Sequence, residues 1–139
     1  MLGQLAGSGA WVDFTQGLDI RLMTDKKAAA INNVKYSMLH FAWDDPHDMV
    51  TYDKLIKYKD VWKGDFRRRR VYVLTNFNSS HSGDLFRVYA LRELGYDPYI
   101  MIYDKIHAPK ETRYLQRWVN NKRIFRTIKY FKDYDHTRR

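Results

Sequence analysis

Four groups of polar residues are the ones able to do chemistry in this chain. Gln16, Gly17, Asp19 and Arg21 form the first, and Asp44, Asp45 and His47 the second. Asn76, Asn78, Ser79 and Ser80 form the third, and Tyr103, Asp104, Lys105 and His107 the fourth. Each follows an apolar, β-branched or aromatic run short enough for a buried strand. In parallel α/β architectures the loops leaving the C-terminal strand ends share one rim, and functional residues sit there. Polar sets converging over an apolar floor are what a ligand site needs. Helix-entry loops are polar in any case, because caps and Asx turns want Asp, Asn and Ser. Taken singly, each of these residues therefore also fits a purely structural role.

Several chemistries are excluded. The 139 residues include no cysteine. Disulfides, thiolate catalysis, zinc–cysteine sites and any cluster ligated by the chain's own thiolates are ruled out. The histidines at 40, 47, 81, 107 and 136 show no His-x-x-x-His spacing, so no metal ligand is assigned. There is no nucleophile elbow and no dinucleotide fingerprint. Asp44 and Asp45 could pair as acid and base, but adjacent side chains in extended backbone point apart, and an Asx turn is expected. His40 falls inside a strand and is expected to pack. Trp118, near Arg113 and Arg117, could stack a base; at helical spacing it equally reads as core. No catalytic residue is assigned.

The positioning elements centre on residues 71–104. Residues 71–78 read as a strand, and Leu85, Val88, Leu91 and Leu94 keep near one helical face. Gly95 follows, where a left-handed C-cap belongs. A further strand runs to Asp104, starting after Pro98. Strand, helix and strand at this spacing make a βαβ unit with parallel strands. Upstream, strands are expected over 11–15 and 37–43. Helices are expected over 27–33, capped by Thr24 or Asp25, and over 51–58. Downstream, helices are expected over 111–119 and 124–131. Residues 1–10 read as a flexible leader, 11–131 as the folded part and 132–139 as a basic frayed tail. Four βα units with a C-terminal helix pair imply an α/β fold, either a small open layer or a half or partial (β/α) barrel of the TIM-barrel type.

The chain carries 25 Lys and Arg against 16 Asp and Glu, a net charge of +9. Arg67, Arg68, Arg69 and Arg70 form one basic run, and residues from Lys110 onward hold another share. Such a balance suggests either solvated basic faces or a nucleic-acid partner. No apolar run is long enough to span a membrane, and the N-terminus lacks a basic n-region, so a cytoplasmic protein is expected.

Phe14-Thr-Gln-Gly-Leu-Asp-Ile-Arg21, His40-Phe-Ala-Trp-Asp44 and Val71-Tyr-Val-Leu-Thr-Asn-Phe-Asn78 occur in this order. They are followed by Asp84-Leu-Phe-Arg-Val88, by the run from Leu91 to Tyr103, and by Arg117-Trp-Val-Asn120. The series resembles the C-terminal half of radical S-adenosylmethionine (radical SAM) proteins over residues 11–121. The resemblance implies a partial (β/α) barrel. It implies a complete protein in which a Cys-x-x-x-Cys-x-x-Cys motif holds a [4Fe-4S] cluster and S-adenosylmethionine is reductively cleaved. By the same resemblance, Gln16, Asp19 and Arg21 match the strand-end segment that helps hold ribose or the methionyl carboxylate. Leu74 to Asn78 match the strand flanking adenine, with Asn76 and Asn78 at the rim. Met101 and Tyr103 match a strand end facing the pocket. The cluster motif has no counterpart here, so cluster ligation is expected to lie elsewhere, in a missing N-terminal half or a complementary subunit.

Three functions follow as expectations. The first is a radical SAM fragment that supplies the nucleoside-side wall and is inactive alone. The second is a basic α/β nucleic-acid-binding module using Arg67 to Arg70. The third is a structural half-barrel subunit.

Overall fold

The computed structural model describes residues 11–12, 18–36 and 38–137. Five strands are described. β1 (Trp11–Val12) and β2 (Lys35–Tyr36) form a parallel pair. β3 (Leu39–Trp43), β4 (Arg69–Thr75) and β5 (Asp97–Ile102) form a parallel three-stranded sheet in sequence order. The described helices are α1 (Asp25–Asn32), α2 (Met49–Tyr58), α3 (His81–Leu94), α4 (Lys110–Asn120) and α5 (Lys122–Thr127). The chain is thus an α/β protein with an open parallel sheet. The leader, residues 13–15 of the expected first strand, and Ser37 lie outside the described residues.

Alternation along the strands separates two faces. The register sets Phe41 beside Val71, Trp43 beside Val73, and Val73 beside Ile100. These side chains are buried under the helices. Trp43 stacks on Tyr52 of α2 at 5.0 Å and meets Phe86 of α3 edge-on at 6.2 Å. Phe41 packs against Trp62 and Tyr96. The opposite face carries His40, Ala42, Arg70, Tyr72, Leu74, Asp97, Tyr99 and Met101. His40 does pack: it is buried and stacks on Tyr72 at 5.6 Å, and Tyr72 meets Tyr99 edge-on at 5.7 Å. Ala42 and Met101 stay exposed there.

The boundaries that moved did so through caps and ladders. β4 begins at Arg69, inside the basic run Arg67 to Arg70 and before the expected start at Val71, because Arg69 and Arg70 are held in register with Leu39 and Asp97. It stops at Thr75 instead of Asn78, because Asn76 turns left-handed at φ 61°, a conformation Asn tolerates. α3 starts at His81 because the Ser80 hydroxyl accepts from the Gly83 N–H at 3.1 Å. It ends at Gly95 in the left-handed conformation, as its position predicts. The last helix is not at 124–131. The Asn121 side chain caps α5 through the Ile124 N–H, and the helix is over by Thr127. Phe131 instead opens a 3-10 turn, although it and Ile128 still pack on the core.

Tyr96 ties the lower core together. Its hydroxyl donates to the Leu55 carbonyl at 2.7 Å and accepts from the Trp62 indole at 3.3 Å. Burial pushes its pKa from an ordinary value near 10 up to about 12. The folded chain holds this proton where the unfolded chain loses it. Stability from Tyr96 is therefore complete below pH ~10 and lost as pH rises through the folded value. The loss should reach about 2–3 kcal/mol. Urea unfolding between pH 9 and 12 should show this fall, and Tyr96→Phe should flatten it. An unchanged slope in the variant would remove the assignment.

Candidate functional site

The rim at the C-terminal strand ends holds an acidic cleft of ≈ 450 Å³. Leu18, Asp19 and Arg21 form one wall, and Asp44, Asp45, Asp48 and Thr51 another. Phe41, Ala42 and Tyr72 line it from the sheet. The Leu18 N–H donates to the His40 carbonyl at 2.6 Å, which sets this wall beside β3. Asp19 caps the 3-10 turn Ile20–Leu22 through the Arg21 N–H, and its carboxylate also accepts from Arg21 Nε at 3.1 Å and Nη2 at 3.0 Å. Those side-chain hydrogen bonds hold Asp19 below the usual carboxylate range, and they raise Arg21.

Asp48 is the cap of α2, accepting from the Thr51 N–H at 3.1 Å and the Thr51 hydroxyl at 2.6 Å. Burial works against its charge, but the Thr51 bonds and Arg21 outweigh it and hold its pKa low. Asp45 makes the expected Asx turn, accepting from the His47 N–H at 2.8 Å. Four carboxylates thus face one guanidinium, and the cleft carries a negative potential that favours a cationic ligand. Carboxylates with spare lone pairs can also accept from a sugar diol.

The residues singled out in sequence fall into three places. Asp19 and Arg21 line the cleft. Asn78 reaches its far wall, with its amide 3.4 Å from Asp45 Oδ1. Asn76 donates to the Tyr103 carbonyl at 3.1 Å, joining the β4 and β5 exits, and Tyr103 packs edge-on to Phe77 at 4.9 Å. Met101 sits on the open face, in register with Leu74. Gln16 lies outside the described residues. Asp104 and His107 form a local pair at 2.9 Å, away from the cleft. Among the described residues no group of three or more His, Asp or Glu is placed to hold a metal ion.

Sequence reasoning missed contributors at two places. Asp48 and Thr51 are a cap and its third helical residue, a signal legible as Asp-x-x-Thr. Arg87 is the other. Fully buried, it pairs with Asp84 at 2.7 Å and donates to the carbonyls of Trp43 at 2.6 Å and Leu74 at 2.8 Å. It therefore ties together the ends of β3 and β4, from which the rim loops leave. Its signal was a charged pair, Asp84 and Arg87, on the same helical stripe as Val88 and Leu91.

The arginine run does not form one patch. Arg67 pairs with Asp65 at 2.8 Å. Arg69 donates to the carbonyls of Lys59, Trp62 and Gly64. Arg70 projects to the opposite face, 3.4 Å from Asp97 and over the Tyr99 ring at 4.7 Å. Among the described residues no helix is long and apolar enough to cross a membrane. In comparison with known proteins, no family model, no curated protein and no solved structure matches the chain.

Proposed function

We propose that this chain is the C-terminal part of a radical SAM-like partial (β/α) barrel and supplies the nucleoside-side wall for S-adenosylmethionine. The observation that carries the reading is strand order. β3, β4 and β5 are parallel neighbours in sequence order, with Leu18 beside β3. A right-handed crossover repeated in one direction keeps its helices on one face, as in successive barrel units; a doubly wound sheet would reverse. All-parallel sheets normally have both faces covered. The face opposite the packed helices, with Ala42, Tyr72, Leu74, Tyr99 and Met101, then corresponds to a barrel interior, completed by an N-terminal half or a complementary subunit.

The acidic cleft suits the cofactor. S-adenosylmethionine carries a sulfonium and an ammonium, both cationic, and a ribose diol. Asp19, Asp45 and Asp48 are the groups to meet the positive charges and the diol, with Arg21 available to the carboxylate. The [4Fe-4S] cluster does not fit this chain, which offers no thiolate; no step through it is assigned to these residues, and the chain alone is proposed to be inactive.

Amide NMR titration with S-adenosylmethionine should move resonances at 18–21 and 44–51, and Asp48→Asn should weaken binding about tenfold, the loss of roughly one charged hydrogen bond. Shifts that avoid these segments would sink the site. Reconstitution of this chain alone with iron and sulfide should give no cluster spectrum; a cluster would overturn the division of labour.

A further inference from the structure

α4 carries Arg113, Gln116, Arg117 and Asn120 at i, i+3, i+4 and i+7, a single polar stripe. Arg113, Gln116 and Asn120 of that stripe are half-buried, and Arg117 is exposed. The stripe lies along the outer edge of β5, the edge not paired with β4. Gln116 donates to the Ile100 carbonyl at 3.2 Å, and Asn120 both donates to that carbonyl at 3.0 Å and accepts from the Ile100 N–H at 2.7 Å. The two amides satisfy the Ile100 backbone and fix the stripe against the edge. Its other two members are cations held beside that edge. Together with Lys105 and Tyr99 they line a cleft of ≈ 440 Å³ that has three positive charges and no carboxylate among its lining residues.

Arg113 is half-buried, and neither it nor Lys105 has a side-chain hydrogen bond or ion pair among the described residues. Arg117 donates to the His136 carbonyl at 3.3 Å and lies over the Tyr114 ring. Tyr99 is steadied by Arg70 above its ring and by Tyr72 at its edge. A half-buried guanidinium without an anion, flanked by two more cations and a held aromatic ring, lacks its counter-charge. We infer that this cleft binds the phosphate of a nucleotide, with Lys105, Arg113 and Arg117 on the phosphate oxygens and Tyr99 beside the base. Guanidinium forks match phosphate oxygens bidentately, and aromatic rings stack bases without regard to sequence. The nucleotide is either free or part of a single strand. The site lies on the opposite side of β4 from the acidic cleft and does not depend on the S-adenosylmethionine reading.

The test uses the full chain, AMP and a short mixed-sequence single-stranded RNA. Binding is read by amide NMR, including the Asn120 side-chain amide, and by titration at two salt concentrations. Arg113→Gln with Arg117→Gln should weaken binding of whichever probe binds by about tenfold or more. Lys105→Gln alone, at an exposed position that bears no structural bond, should weaken it less. Lys26→Gln with Arg123→Gln removes the same charge from exposed sites elsewhere and should leave it unchanged. Saturable binding of AMP assigns a free nucleotide. Binding of RNA alone, with a salt slope that falls by roughly one for each cation removed, assigns a strand. Equal weakening by both double variants would reduce the effect to net charge and overturn the site, as would the absence of binding by either probe.

Discussion

Arg87→Met is expected to lower the free energy of unfolding by about 3–5 kcal/mol, the range for breaking a buried ion pair from one side. Arg87 is completely buried and Asp84 nearly so; their 2.7 Å contact, with the Ser79 hydroxyl at 2.5 Å and the N-terminus of α3, offsets the desolvation of Asp84. Burial lowers the Arg87 pKa, and the Asp84 carboxylate opposes that shift. Removing the guanidinium leaves a buried carboxylate and frees the carbonyls of Trp43, the last residue of β3, and Leu74, the last but one of β4, for which no other side-chain donor is described. An orphaned carbonyl adds about 1–3 kcal/mol. The paired change Arg87→Met with Asp84→Asn should cost less than the sum of the two singles, because no charge is then stranded. Urea midpoints at constant m-value read the result. Additive costs, or a single-variant loss under about 1 kcal/mol, would show that the pair is not what joins β3 and β4. Because the rim loops leave from those strand ends, Arg87→Met should also weaken ligand binding in the acidic cleft even where the variant remains folded.

Trp118→Ala should be of similar size, about 3–5 kcal/mol, the usual cost of emptying a large aromatic site. Trp118 has no exposed surface. It meets Phe125 at 4.9 Å, Phe131 at 5.7 Å and Tyr89 at 6.0 Å, and its indole N–H donates to the Ile128 carbonyl at 2.9 Å. One side chain thus anchors α5 and the following 3-10 turn to α3 and α4. Trp118→Phe keeps most of the packing but leaves that carbonyl without its donor, for a loss of about 1–3 kcal/mol. Hydrogen exchange should show the extra opening concentrated in residues 122–134. A loss spread evenly over the sheet would contradict the anchoring role. The alternative of a base-stacking Trp118 is removed by its burial.

The amino-acid sequence alone determined the alternation of strands and helices and the position of most elements. Those signals are local: apolar runs, helical spacing, Gly95 after Leu94, and turn residues after each strand. It also placed Asp44 and Asp45 at a strand exit, just after β3 ends at Trp43, because chain direction in a βα unit decides which end a loop leaves. Cap chemistry was legible only in part. Thr24 was readable as a cap, whereas Ser80 and Asn121 moved their helices by several residues.

What tertiary structure decided was which neighbours meet. The run Arg67 to Arg70 reads as one basic tract, yet strand alternation sends Arg69 and Arg70 to opposite faces of β4, and carbonyls and carboxylates from other segments engage them. Asp48 joins the cleft only because α2 begins beside Asp19 and Arg21. Arg87 finds the carbonyls of Trp43 and Leu74 across 44 and 13 residues of chain, separations no local periodicity encodes. The cationic stripe of α4 becomes a cleft because Gln116 and Asn120 bind the β5 edge at Ile100. Secondary structure follows from interactions within a few residues. A binding site requires side chains from distant segments to share one volume, and only the packed chain sets that.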